Sequence, residues 1–218
     1  MSKVIVIGGG ASGLLAAISA KQQHADVLIL ERNTKLGKKI LATGNGRCNF
    51  TNVDATEMHY NHPYFVRPVF EQMSPKKTLQ LFEQLGITPK IEDEGKTYPL
   101  SEQASSIVDV LIYEIERLQI LVKYEALVTS IKKRDVFDIE LQSGEHIQAD
   151  RVILATGGLA MPKSGSDGTG YQLAQSLGHT ITPVFPALVK LELSSPHLKA
   201  LDGRSEEHTS ELQSPNTI

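Results

Sequence analysis

Three stretches of the chain are apolar at every position: Val4-Ile5-Val6-Ile7, Val27-Leu28-Ile29-Leu30 and Val152-Ile153-Leu154-Ala155. A strand with one wet face alternates apolar and polar residues, whereas an unbroken run reads as a strand covered on both faces, as in a parallel sheet. Strands are therefore predicted over Lys3 to Ile7, Asp26 to Glu31 and Arg151 to Ala155. Between the first two, Ala11 to Gln23 is predicted as the helix of a βαβ crossover. Ser74-Pro75 reads as the N-cap and first helical position of another helix, which closes at Gly86. Ile87 to Ile91 and Lys96 to Leu100 read as short strands within a small insertion spanning about residues 53–100. Ser101 is expected to cap a further helix, whose Ile107, Val108, Leu111, Ile112, Ile115 and Leu118 form one packing face.

After that helix the pattern is strand-like. Ile120 to Tyr124, Ala126 to Lys132, Val136 to Leu141 and His146 to Ala149 follow one another, with Ser143-Gly144 as a hairpin signal. A parallel strand, an antiparallel meander and a return strand make the crossover of an FAD-type Rossmann domain, where a plain NAD domain more often crosses over through a helix. The predicted fold class is α/β, a three-layer FAD-type Rossmann arrangement with a parallel sheet and a β-meander crossover, incomplete towards its C-terminal side.

Candidate chemistry begins where the first strand ends. Gly8-Gly9-Gly10-Ala11-Ser12-Gly13 follows that strand directly, and the second strand ends in Glu31, 18 positions after Gly13. This is the Rossmann fingerprint in its proper context. Gly8 serves the tight turn, Gly10 lets the backbone approach a pyrophosphate, and Gly13 lets helix and sheet pack closely. The helix N-terminus turns its positive end to the phosphates. Glu31, expected at the surface end of its strand, is positioned to accept hydrogen bonds from an adenosine ribose.

The segment Asn33 to Asn52 is too polar for a core and too glycine-rich to be helical throughout, which leaves a surface loop or a backbone cradle. Its glycines free backbone N–H groups to face an anion. Arg47 offers phosphate a fork of donors, and Asn49 could bond a flavin edge or brace the loop. Ala155-Thr156-Gly157-Gly158 ends the return strand, where open α/β sheets bind ligands. Cys48 has no second cysteine with which to exchange electrons, so packing is its expected role. His59 and His62 lack a helix to align them, and no metal is expected. No GxSxG elbow or GxxxxGK[ST] loop occurs, which excludes the corresponding hydrolase and P-loop readings.

Together with GGGASG, Glu31-Arg32 and ATGG, the stretch Lys38 to Asn52 and Gly165-Ser166-Asp167-Gly168-Thr169-Gly170-Tyr171 resemble the BaiN-like bacterial family of NAD(P)- and FAD-dependent oxidoreductases. The likeness covers nearly all of Met1 to Gly203. It implies FAD contacts at Gly8, Gly10, Ser12, Gly13, Glu31, Arg32, Lys39, Thr43, Gly44, Gly46, Arg47, Cys48 and Asn49. It also implies that Val128 faces the adenine through backbone groups, with Thr156 and Gly157 beside it. Asn45 stands where the family more often has Gly. The implied function is hydride transfer from NAD(P)H through FAD to an organic acceptor. The implied organisation is an FAD-binding domain over residues 1–194, interrupted after about Leu193, with an inserted domain starting at residues 195–203. The catalytic acid or base is expected beyond the given sequence. A tRNA-modifying type of flavoprotein and a non-catalytic dinucleotide-binding module remain alternatives.

Composition narrows the partners. A formal charge of −3 gives no sign of a nucleic-acid partner, and one cysteine fits a reducing cytoplasm. No apolar run is long enough for a membrane span, and the start lacks a signal-peptide pattern. A small-molecule substrate in the cytoplasm is therefore expected. Arg204-Ser205-Glu206-Glu207-His208-Thr209-Ser210-Glu211-Leu212-Gln213-Ser214 resembles a translated sequencing-adapter oligonucleotide. Residues 204–218 are accordingly expected to be foreign, with native sequence trusted to about Gly203 and its continuation missing.

Overall fold

Alternate residues of the unbroken apolar runs point to opposite sides of one sheet, and both sides are covered. In the computed structural model, which describes residues 1–186, four parallel strands form this sheet in the order β10-β1-β2-β6. They are β1 (Lys3–Ile7), β2 (Asp26–Leu30), β6 (Leu121–Lys123) and β10 (Arg151–Leu154). Val4, Val6, Val27 and Ile29 pack beneath helices α1 (Ala11–Gln22) and α4 (Ala104–Arg117). Ile5, Ile7 and Leu30 pack on the other side against a meander of β7 (Val128–Lys133), β8 (Phe137–Leu141) and β9 (His146–Ala149). This is the three-layer Rossmann arrangement predicted from the pattern, and register confirms the parallel pairing: Ile5 lies opposite Leu28 on one side and Val152 on the other.

A second, three-stranded antiparallel sheet is built from β3 (Thr51–Asn52), β4 (Pro89–Ile91) and β5 (Lys96–Pro99), with β5 central. It flanks α2 (Pro63–Gln72) and α3 (Pro75–Gln84) in sequence. Ser74 caps α3 as its sequence suggests, its hydroxyl accepting from the Lys77 amide at 3.4 Å. The α4 cap is a correction. Gln103, not Ser101, is the N-cap residue, and the Ser101 hydroxyl instead accepts from the Gln103 amide and pairs with Ser106. The face of α4 packs as expected, with Ile107, Val108, Leu111 and Ile115 buried.

Helices α2 and α5 (Thr169–Ser176) were not predicted. Prolines at 63 and 68 and the absence of any buried residue deprive α2 of both propensity and amphipathic signal. α5 is only 8 residues long and opens on glycines at 168 and 170. Among the described residues, no helix is long and apolar enough to cross a membrane. Met1–Pro183 form one compact unit, and a second unit begins at Val184. The expectations for residues 195–203 and 204–218 lie outside the described residues.

Candidate functional site

The C-terminal ends of β1, β2 and β10 converge on the glycine turn. Gly8 has φ +106°, and a Cβ there would overlap the Ala155 carbonyl at the end of β10. A Cβ on Gly13 would strike the Gly8 carbonyl, so the first turn of α1 lies directly on the strand-turn backbone. These two glycines are required by the fold itself. Gly10 differs: its φ of −84° suits any residue, and a Cβ there would meet nothing within 4 Å. Gly10 caps α1 without a side-chain acceptor, and no acidic residue occupies the first turn. The leading N–H groups of that helix therefore have no capping partner from a side chain.

Glu31 is correctly read as the acid after the second strand but is not at the surface. It is 6% exposed. Its Oε2 accepts the Gly9 amide at 2.7 Å, and its Oε1 accepts the Asn33 main-chain N–H at 2.8 Å and the Asn33 Nδ2 at 2.7 Å. The strand simply ends one residue earlier than predicted, and the side chain turns inward to hold the glycine turn.

Residues 32–39 fasten a loop that follows the return strand. Arg32 donates to Asp167 at 2.7 Å, Asn33 Nδ2 reaches the Ser164 carbonyl at 3.3 Å, and Lys39 Nζ donates to Ser166 Oγ at 3.3 Å. Asp167 in turn accepts the hydroxyl and the amide of Thr169, which caps α5. The Thr169 hydroxyl, and after it the Arg32 guanidinium, hold the Asp167 carboxyl down at about 2 against the opposing effect of burial.

The glycine-rich segment is a compact cradle. Ile40–Gly46 winds as 3₁₀ turns broken at Thr43, Gly44 and Asn45. Asn45, with φ 53°, sits in the left-handed region that asparagine tolerates better than most residues, so its replacement of glycine fits the backbone. Asn49 braces rather than projects, its amide nitrogen facing the carbonyls of Thr51 at 2.7 Å and Thr97 at 3.1 Å. Burial pushes the Cys48 thiol up, and a hydrogen bond with Thr43 opposes this more weakly. A raised thiol is a poor nucleophile, in keeping with a packing role. His59 Nδ1 accepts the Thr56 amide at 3.0 Å and so closes a capping box.

These parts enclose a cavity of about 520 Å³, a size typical of small-molecule sites. Gly8, Gly10, Ser12, Glu31, Arg32 and Lys39 line it, as do Thr43, Cys48, Asn49, Val128, Thr156 and Gly157. Four predicted site residues lie off its wall: Gly13 packs under Gly8, Gly44 and Gly46 shape the cradle, and Arg47 points elsewhere. Arg47 pairs with Glu92 at 3.0 Å and stacks over Tyr98 at 4.0 Å. Sequence reasoning missed Gly9, Asn33 and the Ser164–Ser166 loop, all of which line the cavity. The run from Gly165 to Tyr171 had been singled out as a motif, and its Asp-Gly-Thr core was a legible turn-to-helix signal.

A parallel sheet with helices on one face and a meander on the other, carrying a glycine turn and a strand-terminal acid around one cavity, defines a Rossmann-type domain. Residues 2–209 match the HI0933-like protein Rossmann domain, and the chain belongs to that family. It is 44% identical over 211 residues to the 3-dehydro-bile acid delta(4,6)-reductase of Clostridium scindens, covering 94% of this chain and 51% of that protein. It is 31% identical over 200 residues to the ribosomal RNA dihydrouridine synthase of Escherichia coli K12, covering 90% and 50%. The chain thus spans about half the length of the curated relatives it matches. Among solved structures, the open conformation of a flavocytochrome c3 fumarate reductase superposes with a TM-score of 0.61 at 17% identity, over 82% of this chain and 41% of that one, which shows the fold. The family resemblance drawn from the motifs is borne out by these matches.

Proposed function

We propose that the chain carries the FAD-binding domain of a flavin-dependent oxidoreductase that passes a hydride from NADH or NADPH to an unsaturated organic acceptor. The observation that carries this reading is Gly10. Neither its backbone angles nor any neighbour demands glycine, yet it stands at an uncapped helix start on the cavity wall. A glycine unexplained by the protein is explained by a ligand whose phosphates approach the backbone there.

The residues present fit FAD. The first turn of α1 would hold the pyrophosphate, Glu31 the adenosine ribose, and the backbone near Val128 the adenine. Lys39, Thr43, Cys48 and Asn49 would border the remainder, with Thr156 and Gly157 closing the strand side. When bound, FAD supplies the two-electron carrier, and the protein supplies orientation and exclusion of water. The family membership and the reductase name of the 44% identical relative support the oxidoreductase reading.

A second reading is favoured by the relative named for ribosomal RNA dihydrouridine: the acceptor could be a base in RNA. The net charge of −3 weighs against a large phosphate-binding surface. Titration of the apoprotein with FAD, FMN and NAD+ tests the cofactor. FAD should bind tightly, Gly10→Val should abolish this, and FMN binding as tight as FAD would overturn the assignment. NADH oxidation assayed with an unsaturated ketone and, separately, with RNA distinguishes the two acceptors.

A further inference from the structure

Glu31 lies on the cavity wall, 6% exposed, with most of its accepting capacity already used. A carboxylate offers about four lone-pair sites. Asn33 takes both on Oε1, one with its main-chain N–H at 2.8 Å and one with Nδ2 at 2.7 Å, and the Gly9 amide takes one on Oε2 at 2.7 Å. One acceptor site is left, on Oε2. Asn33 itself is anchored beyond Glu31, through Nδ2 to the Ser164 carbonyl at 3.3 Å and through its own carbonyl to the Glu125 amide at 3.2 Å. The orientation of the carboxylate is thus fixed by a residue tied to two other segments.

We propose that Asn33 is a positioning residue for adenosine recognition: by saturating Oε1 it restricts Glu31 to accepting one ribose hydroxyl, through Oε2. This rests on the dinucleotide reading. Its consequence is selectivity within the ribose. One of the two hydroxyls is bonded to a buried charge, and the other gains nothing from Glu31. Without the Asn33 amide, Oε1 regains a free lone pair and the carboxylate loses its lateral support, so either hydroxyl can be accepted and neither is held well.

The probes are ADP, 2′-deoxy-ADP and 3′-deoxy-ADP, with binding to the full chain measured by calorimetry. The wild-type chain should lose about tenfold or more in affinity for one deoxy analogue and less than threefold for the other, the range set by a hydrogen bond to a charged acceptor. Asn33→Ala should bring the two analogues to within about twofold of each other. Asn33→Asp removes the same donor at nearly constant shape and should do likewise. It decides the matter if the alanine variant melts before binding can be measured. A loop merely weakened by substitution would lower all three affinities together and leave their ratios intact, so unchanged ratios in both variants overturn the role of Asn33. Equal wild-type losses for both analogues overturn the single-hydroxyl geometry. Failure of the wild-type chain to bind ADP at all would instead strike the dinucleotide reading itself.

Discussion

The Oε2 atom of Glu31 lies 2.7 Å from the amide nitrogen of Gly9, so the acid that ends the second strand also holds the turn that ends the first. A residue placed to receive a ribose therefore has a structural duty before any ligand arrives. Glu31→Ala should strand the Gly9 amide and two Asn33 donors in a buried site. With net values of about 1.5–3 kcal/mol for hydrogen bonds to charged groups, and some recovery by water in the cavity, the expected loss is about 2–4 kcal/mol. Glu31→Gln keeps one acceptor oxygen and should lose less than half as much. Urea unfolding of the three proteins measures this, and wild-type stability in Glu31→Ala would show that the turn does not depend on the acid.

Gly8 and Gly10 are two positions apart but answer to different constraints. Gly8→Ala must place a Cβ at φ +106° against the Ala155 carbonyl and should destabilise the apoprotein by several kcal/mol or prevent folding. Gly10→Ala meets open space with acceptable angles and should leave unfolding within about 1 kcal/mol of wild type. The same substitution should cost FAD affinity at least tenfold, because its methyl enters the space the phosphates need. Paired melting and FAD titration separate the two. Equal destabilisation by both changes would remove the basis for calling Gly10 a ligand glycine.

The core of the fold was legible because the apolar runs are long, unbroken and separated by strong turn chemistry. Val4 to Ile7 and Val27 to Leu30 could only be strands covered on both faces, and both are. Glu31 was placed correctly along the chain but not in depth, because one residue of strand fraying decides whether its side chain turns outward or back over Gly9. Asn33 and Ser164 were invisible as site residues since their partnership joins positions 131 residues apart. Arg47 illustrates the opposite error. A guanidinium in a glycine-rich loop suggests phosphate, but the acids that claim it, Glu92 and Glu102, come from a separate sheet whose position no local pattern encodes.

Asp167 provides a pH signature. Its carboxyl titrates at about 2 in the folded chain, held down first by Thr169 and then by Arg32, against about 3.9 for an unperturbed aspartate. A depressed folded value means stabilisation that is complete above about pH 4 and is lost as pH falls through about 2. Asp167→Asn should therefore lower the urea midpoint at pH 7 and flatten its dependence between pH 4 and 2.5. Because Arg32 and Asp167 fasten the loop beside the cavity, the variant should also release FAD faster at pH 7. An acid profile identical to wild type would mean that the Arg32–Asp167 contact does not persist in solution.

Arg47 supplies the sharpest test of where the phosphates sit. Its guanidinium is engaged by Glu92 at 3.0 Å, by Glu102 at 3.5 Å and by the face of Tyr98 at 4.0 Å, and it is absent from the cavity wall. Ion pairs this exposed are worth little, and a cation over an aromatic ring at an exposed site adds about 0.5–1 kcal/mol. Arg47→Ala should accordingly reduce stability by about 1 kcal/mol and change ADP affinity by less than twofold. An arginine that paired with a phosphate through charge-assisted bonds would be worth far more, on the order of tenfold or greater in affinity. Glu92→Gln offers the complementary measurement: it frees the guanidinium without removing it, and should likewise leave ADP binding unchanged. If Arg47→Ala instead abolishes binding at unaltered stability, the segment from Ile40 to Asn49 must swing on ligand arrival, breaking the Glu92 contact to bring the guanidinium onto the pyrophosphate.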